Sequence, residues 1–245
     1  MQRHIAFERL HNFRDMGGYR TADGREVAWG RLYRSDSLGK LARSDADGER
    51  FAALGVRTVV DLRYPWEIER AGRVGEYPGL AYHNLSIEHR PYGQATLGPE
   101  VPTERFLADR YAEVAGDGVA EIRAVLDVLA ADGAGPAVVH CASGKDRTGL
   151  IAALVLTLLG VGDEDIVADF ALTERASERL IADWNAARPD IPITWPGYAR
   201  APEGVMRLFL AGIAAEYGSL RGYAEARLGV DGPLVEALRK AYLAD

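Results

Sequence analysis

Cys141 is the only cysteine among 245 residues, and it stands in the run HCASGKDRTG, His140 to Gly149, six positions before Arg147. The apolar residues Ala137, Val138 and Val139 before it read as a strand. A tight loop over Ala142, Ser143, Gly144, Lys145, Asp146 and Arg147 then leads into a helix. Such a loop turns successive backbone N–H groups toward one point at a helix N-terminus, making a cradle for a dianionic phosphate and favouring a thiolate at its floor. Arg147 adds a planar, permanently charged fork that can hold two oxygens of a transferring phosphoryl group. The chemistry indicated is phosphoryl transfer to cysteine.

The neighbours of Cys141 carry more than one reading. His140 reads as the residue that hydrogen-bonds the loop and keeps the thiolate ordered, or else as a simple buried histidine. The Thr148 hydroxyl could donate to the sulfur and improve it as a leaving group, or be an ordinary first-turn threonine. A cation at a helix N-terminus, as Arg147 is, calls for a bound anion. Lys145 and Asp146 either both face substrate, the lysine on phosphate and the aspartate as proton donor or orienter, or form a solvated pair at the rim. Hydrolysis also needs an acid for the leaving phenolate and then a base for water. Asp61 and Asp146 are the candidates; for Asp61 the alternatives are an ion pair with Arg63 or a cap on the helix near Pro65.

The signature, HC, five residues, then R and T, resembles that of cysteine-dependent protein tyrosine phosphatases. Together with NFRDMGGY (12–19), RLYRSDSL (31–38), VVDLRYPWE (59–67) and EYGSLRGYAEARLGVD (216–231), the GKDRTG ending is similar to a bacterial and fungal subgroup of that family. The resemblance spans nearly the whole chain. It implies a phosphotyrosine hydrolase, with a dual-specificity range open, that works through a cysteinyl phosphate and releases inorganic phosphate. It also implies that Asp61 and Asp146 are both contenders for acid duty, that Arg14 brings a further cation beside the site, and that helices within 163–200 cover it. Lys145 is similar to the lysines in the loops of phosphoinositide phosphatases, which makes lipid head groups the second substrate class. A pseudophosphatase that binds without turnover is disfavoured by Cys141, Arg147 and a nearby aspartate. Rhodanese-like sulfur transfer is disfavoured because KDRTG does not suit a sulfur-donor loop.

These residues need a scaffold, and composition bounds it. The formal charge of −7 argues against a nucleic-acid surface, which needs clustered cations. The five histidines (4, 11, 83, 89, 140) lack metal-site spacing, so neither a metal nor another cofactor is expected. Of 29 basic residues only three are lysines, at 40, 145 and 240, which makes Lys145 conspicuous. With no twenty-residue apolar span and no signal-peptide core, the expected location is cytoplasmic, with non-classical export left open. A lone cysteine agrees with a reducing compartment.

The expected fold is one α/β domain over 1–245, with a central, mostly parallel sheet, helices on both faces and a helical C-terminal half. Strands are predicted over Glu26–Tyr33, Thr58–Val60, Leu80–Leu85 and Ala137–His140. Helices are predicted from Ser44 as cap to Leu54, from Pro65, over 103–115 and 118–132, and over the apolar run after Arg147. Further helices follow from Asp163 as cap to Ala187, then over 202–217, 219–228 and 232–243.

Overall fold

The computed structural model describes residues 2–244. Its five strands are β1 (Arg14–Asp15), β2 (Leu32–Ser35), β3 (Thr58–Asp61), β4 (Ala81–Asn84) and β5 (Ala137–His140). They form one sheet in the order β1-β2-β5-β3-β4, in which only β1 runs antiparallel to its neighbour. The α-helices are α1 (Asp45–Ala53), α2 (Pro65–Ala71), α3 (Thr103–Asp117), α4 (Val119–Ala130) and α5 (Asp146–Leu159). The C-terminal half adds α6 (Asp163–Ala171), α7 (Ser177–Ala187), α8 (Glu203–Tyr217), α9 (Leu220–Leu228) and α10 (Gly232–Tyr242). No helix among the described residues is long and apolar enough to cross a membrane.

Strand periodicity splits the core in two. Val138 of β5, Val59 of β3 and Tyr33 of β2 face one side, where Phe13, Leu41 and Phe51 of α1 pack on them. Ala137, Val139, Val60 and Leu32 face the other, against α3, α4, α5 and the C-terminal helices. Helix α5 is buried over almost its whole length because it lies between the sheet and α6, α9 and α10. A helix held on all sides fixes the loop that precedes it.

Parallel pairing brings Ser35, His140, Asp61 and Asn84 level with one another at the carboxyl ends of four strands. That edge is where open α/β sheets place their ligands. The Ser44 cap is as the sequence reads: its hydroxyl accepts from Asp47 N, and α1 stops before Gly55. Other boundaries are corrected. The strand expected over Glu26–Tyr33 is confined to Leu32–Ser35, because Glu26 and Val27 make only isolated bridges and Gly30 turns the chain at φ +73°. Asp163 is the first residue of α6 and not its cap, which is Gly162; its charge still complements the helix dipole. The helix expected to run to Ala187 is broken by a 3₁₀ stretch over Leu172–Ala176.

Candidate active site

The loop after β5 is held by its carbonyls. His140 Nδ1 lies 3.2 Å from Cys141 O, and Ser37 N donates to Ala142 O at 3.1 Å. Asn12 Nδ2 donates to Ser143 O and Gly144 O at 2.9 and 3.1 Å, and Arg34 Nη2 reaches Gly144 O at 2.8 Å. In a trans peptide the C=O of one residue and the N–H of the next point in opposite directions. Four carbonyls drawn outward therefore aim the N–H groups of Ala142, Ser143, Gly144 and Lys145 inward. Among the described residues none of those N–H groups has an acceptor. Unpaired donors at the head of α5, around a buried thiol, are chemically suited to receive an anion.

Gly144 allows the tight bend: its φ is +67°, and a Cβ there would stand 2.4 Å from Ser35 O. Gly144→Ala is expected to displace the loop at a strain of about 1–3 kcal/mol. Calorimetry with inorganic phosphate should show at least tenfold weaker binding with a native far-ultraviolet spectrum; unchanged affinity would mean that the loop does not hold the anion.

Arg147 Nη1 and Nη2 donate to the two oxygens of Glu67 at 2.6 and 3.0 Å, and Nε lies 3.6 Å from Glu88 Oε2. The anion that this cation calls for is thus supplied by carboxylates of the chain itself, which corrects the expectation that only a bound phosphate would explain it. Glu67 is held in turn as the third residue of α2, where its Oε2 accepts from Tyr64 N at 2.9 Å. Burial works against its ionisation, but the Arg147 guanidinium outweighs burial and keeps its carboxyl below the ordinary range.

Asp61 makes the ion pair with Arg63 that is the alternative to its acid reading. It is fully buried, its carboxylate takes Arg63 Nε at 2.9 Å, Arg63 Nη2 at 2.6 Å and Tyr82 OH at 2.9 Å, and His140 Nε2 lies 3.5 Å away. Burial opposes its charge, yet His140 and Arg63 together hold its carboxyl below the usual range, which favours its charged form. Its place is to buttress His140, whose imidazole burial lowers against the pull of Asp61.

Asp146 stands at the site, with Oδ1 accepting from Tyr111 OH at 2.7 Å and Oδ2 from Gln94 Nε2 at 3.0 Å. Lys145 is 1% exposed, so the solvated rim pair is overturned. Its Nζ lies 3.4 Å from Gln94 Oε1 and 3.4 Å from Asp146 Oδ1, roofed by the loop between β4 and α3. The Thr148 hydroxyl is buried and without a partner among the described residues.

Arg14 is likewise corrected as a cation facing the site. Its guanidinium is buried against Asp169 Oδ1 (3.2 Å), Asp169 O (2.8 Å) and Asn12 Oδ1, and burial beside Arg34 pushes it down to about 10. Its support is indirect, through the Asn12 amide that holds the loop. The expected cover over 163–200 changes in part for the same reason. Asp169 ties α6 into the core through Arg14 and Arg34, whereas α7 lies on the surface, joined through Asp183 to Lys40 and His11.

Sequence reasoning missed Asn12, Glu67, Glu88, Gln94 and Asp169 as parts of the site; Arg34 is buried in an ion pair with Asp169. Asn12 and Glu67 sit inside the quoted motifs, and Asp169 is a charge on the buried face of α6. Glu88 and Gln94 lie in a loop with no periodicity to mark them.

A buried cysteine beneath unpaired N–H groups, with an oriented arginine in the first turn of α5, is the arrangement of a cysteine-dependent phosphatase site. The sequence model described as "Tyrosine phosphatase family" matches residues 5–244. A Cupriavidus necator protein named as a tyrosine-protein phosphatase is 31% identical over 98% of this chain and 88% of its own length. The triple specificity protein phosphatase PtpB of Mycobacterium tuberculosis is 29% identical over 86% of this chain and 89% of its own. Among solved structures, P. aeruginosa TpbA in complex with phosphotyrosine aligns over 74% of this chain and 85% of its own, at 18% identity and a TM-score of 0.31. The chain belongs to the tyrosine phosphatase family and is a phosphomonoester hydrolase of that class.

Proposed function

We propose that the protein removes phosphate from phosphotyrosine in protein substrates, through a covalent phosphate on Cys141 and without a metal ion. The observation that carries this is the set of four inward N–H groups, unpaired and backed by outward-tied carbonyls, around one buried thiol. Those donors offset the charge that grows on the phosphoryl oxygens, a task a metal performs elsewhere. Arg147, turned by Glu67, is the cation that would grip two of the oxygens, with Nε on the side away from its bidentate partner. Thr148, whose hydroxyl is without a partner among the described residues, is the residue we assign to serve the sulfur as it leaves. The name of the mycobacterial relative supports a range wider than phosphotyrosine alone. The phosphoinositide alternative loses its main support, because Lys145 is roofed by Gln94 and offers no exposed charge to a second phosphate.

Steady-state rates on a phosphotyrosine peptide, a phosphoserine peptide and a soluble phosphoinositide, each with EDTA present, test this. Phosphotyrosine is expected to turn over fastest, at a rate indifferent to EDTA. No turnover, or activity removed by the chelator and restored by a divalent cation, would overturn the reading.

A further inference from the structure

We propose that Glu88 is the proton donor of the first step and the base of the second. The proposal rests on the phosphatase reading above. Glu88 lies just past the carboxyl end of β4, on the sheet edge that carries the Cys141 loop, and is 8% exposed. With Tyr92, Tyr111, Asp146 and Arg147 it lines a small cavity beside the loop. Its oxygens stand 3.6 Å from Arg147 Nε and 3.6 Å from Arg110 Nη2.

The other carboxylates around the loop are committed as acceptors. Asp36 receives His11 N, Asn12 N and Lys40 Nζ. Asp61 receives Arg63 and Tyr82, Glu67 receives Arg147 and Tyr64 N, and Asp146 receives Tyr111 and Gln94. Glu88 alone of this group is held only by the two longer arginine pairs at 3.6 Å and by the Tyr64 hydroxyl that faces it, so it is the carboxylate least tightly committed as an acceptor. A general acid must hold a proton at the working pH.

Its surroundings favour this. Burial pushes the Glu88 carboxyl up; Arg147 and Arg110 pull it down, and Asp146 and Glu67 add to the rise. The groups that face it are Arg147 and Asp146 from α5, Arg110 from α3, Glu67 and Tyr64 from the start of α2, and Tyr92 from its own loop. A phosphate dianion entering the loop competes for the Arg147 guanidinium on its Nε side, where Glu88 has only the longer contact. Losing that cation and gaining a neighbouring dianion both drive Glu88 to its protonated form.

In the first step the Cys141 thiolate forms the P–S bond as the P–O bond to the leaving group breaks, and the Glu88 proton passes to the departing oxygen. A water molecule then gives a proton to the Glu88 carboxylate and forms a P–O bond as the P–S bond breaks. Thiolate and protonated Glu88 are restored, and inorganic phosphate leaves.

The test is a leaving-group series of aryl phosphates with Glu88→Gln, Glu88→Asp and Asp146→Asn. For Glu88→Gln, kcat/KM for phenyl phosphate, which reports the first step alone, should fall by about a hundredfold or more while that for dinitrophenyl phosphate, whose phenol is already acidic, falls less than about fivefold. The alkaline fall of kcat/KM should flatten in Glu88→Gln and persist in Glu88→Asp, because activity that needs a protonated acid is lost as pH rises through its titration. Equal losses across the series would reduce Glu88 to a residue that positions Arg147 and overturn the proposal. So would a leaving-group-dependent loss in Asp146→Asn with none in Glu88→Gln. Retained phosphate affinity and thermal unfolding temperature show whether each variant is folded, and if Glu88→Gln is not, the Glu88→Asp profile decides. Absence of turnover by the unsubstituted protein would instead overturn the phosphatase reading.

Discussion

Cys141→Ser is expected to abolish turnover of a phosphotyrosine peptide, by at least a thousandfold, while inorganic phosphate still binds. A serine hydroxyl is not ionised at neutral pH and lacks an adjacent base, so the nucleophile is lost. The anion site is not, because its donors are backbone N–H groups fixed by His140, Ser37, Asn12 and Arg34, none of which touches the sulfur in these contacts. Rate measurements paired with phosphate calorimetry separate the two effects, and a residual rate within tenfold of the parent would rule out a cysteinyl phosphate. Arg147→Lys extends the test. An ammonium cannot take both oxygens of Glu67 and also reach toward phosphate, so about 10²- to 10³-fold loss in kcat is expected, with the fold intact.

The largest effect on stability is expected at Asp169. Its carboxylate is buried between Arg14 and Arg34, with Nε of the first at 3.2 Å and Nη1 of the second at 2.5 Å. Removing one partner from a buried ion network leaves charge uncompensated, at a cost of about 3–5 kcal/mol. Against a total stability of about 5–15 kcal/mol for a domain, Asp169→Ala should be marginal or unfolded at room temperature. Burial opposes the charge on Asp169, but the two arginines outweigh it and hold its carboxyl well below the usual range. A carboxyl whose folded value is depressed stabilises the protein above the ordinary aspartate range near ~4, and that stability is lost as pH falls below it. Urea midpoints between neutral pH and about pH 3 should therefore drop steeply in the parent and more gently in Asp169→Asn. A change under about 1 kcal/mol in Asp169→Ala, or equal pH slopes in both proteins, would mean that the network carries little of the stability.

Asp169 also couples stability to the site. Arg34 donates to Gly144 O, and Arg14 orients the Asn12 amide that holds Ser143 O and Gly144 O, so the ion network sets the loop through its carbonyls. A destabilised Asp169 variant should therefore lose phosphate affinity before it loses secondary structure.

Local chemistry was legible from the chain because it is written in contiguous residues. HCASGKDRTG contains the thiol, the bend at Gly144 and the head of α5 within ten positions, and a strand, loop and buried helix follow from composition alone. The order of the main strands and helices was readable for the same reason, since each is set by its own periodicity and caps. Tertiary structure decided which charges meet. Asp61 and Asp146 looked equivalent as acids, yet strand register sets Asp61 opposite His140 and beside Arg63, while Gln94 and Tyr111, 52 and 35 positions away, claim Asp146. Arg14 is adjacent to Asp15 in sequence but pairs with Asp169, 155 positions on. A carboxylate's protonation depends on partners within a few ångströms, and those partners are brought together by packing across the sheet edge, so no local pattern records them.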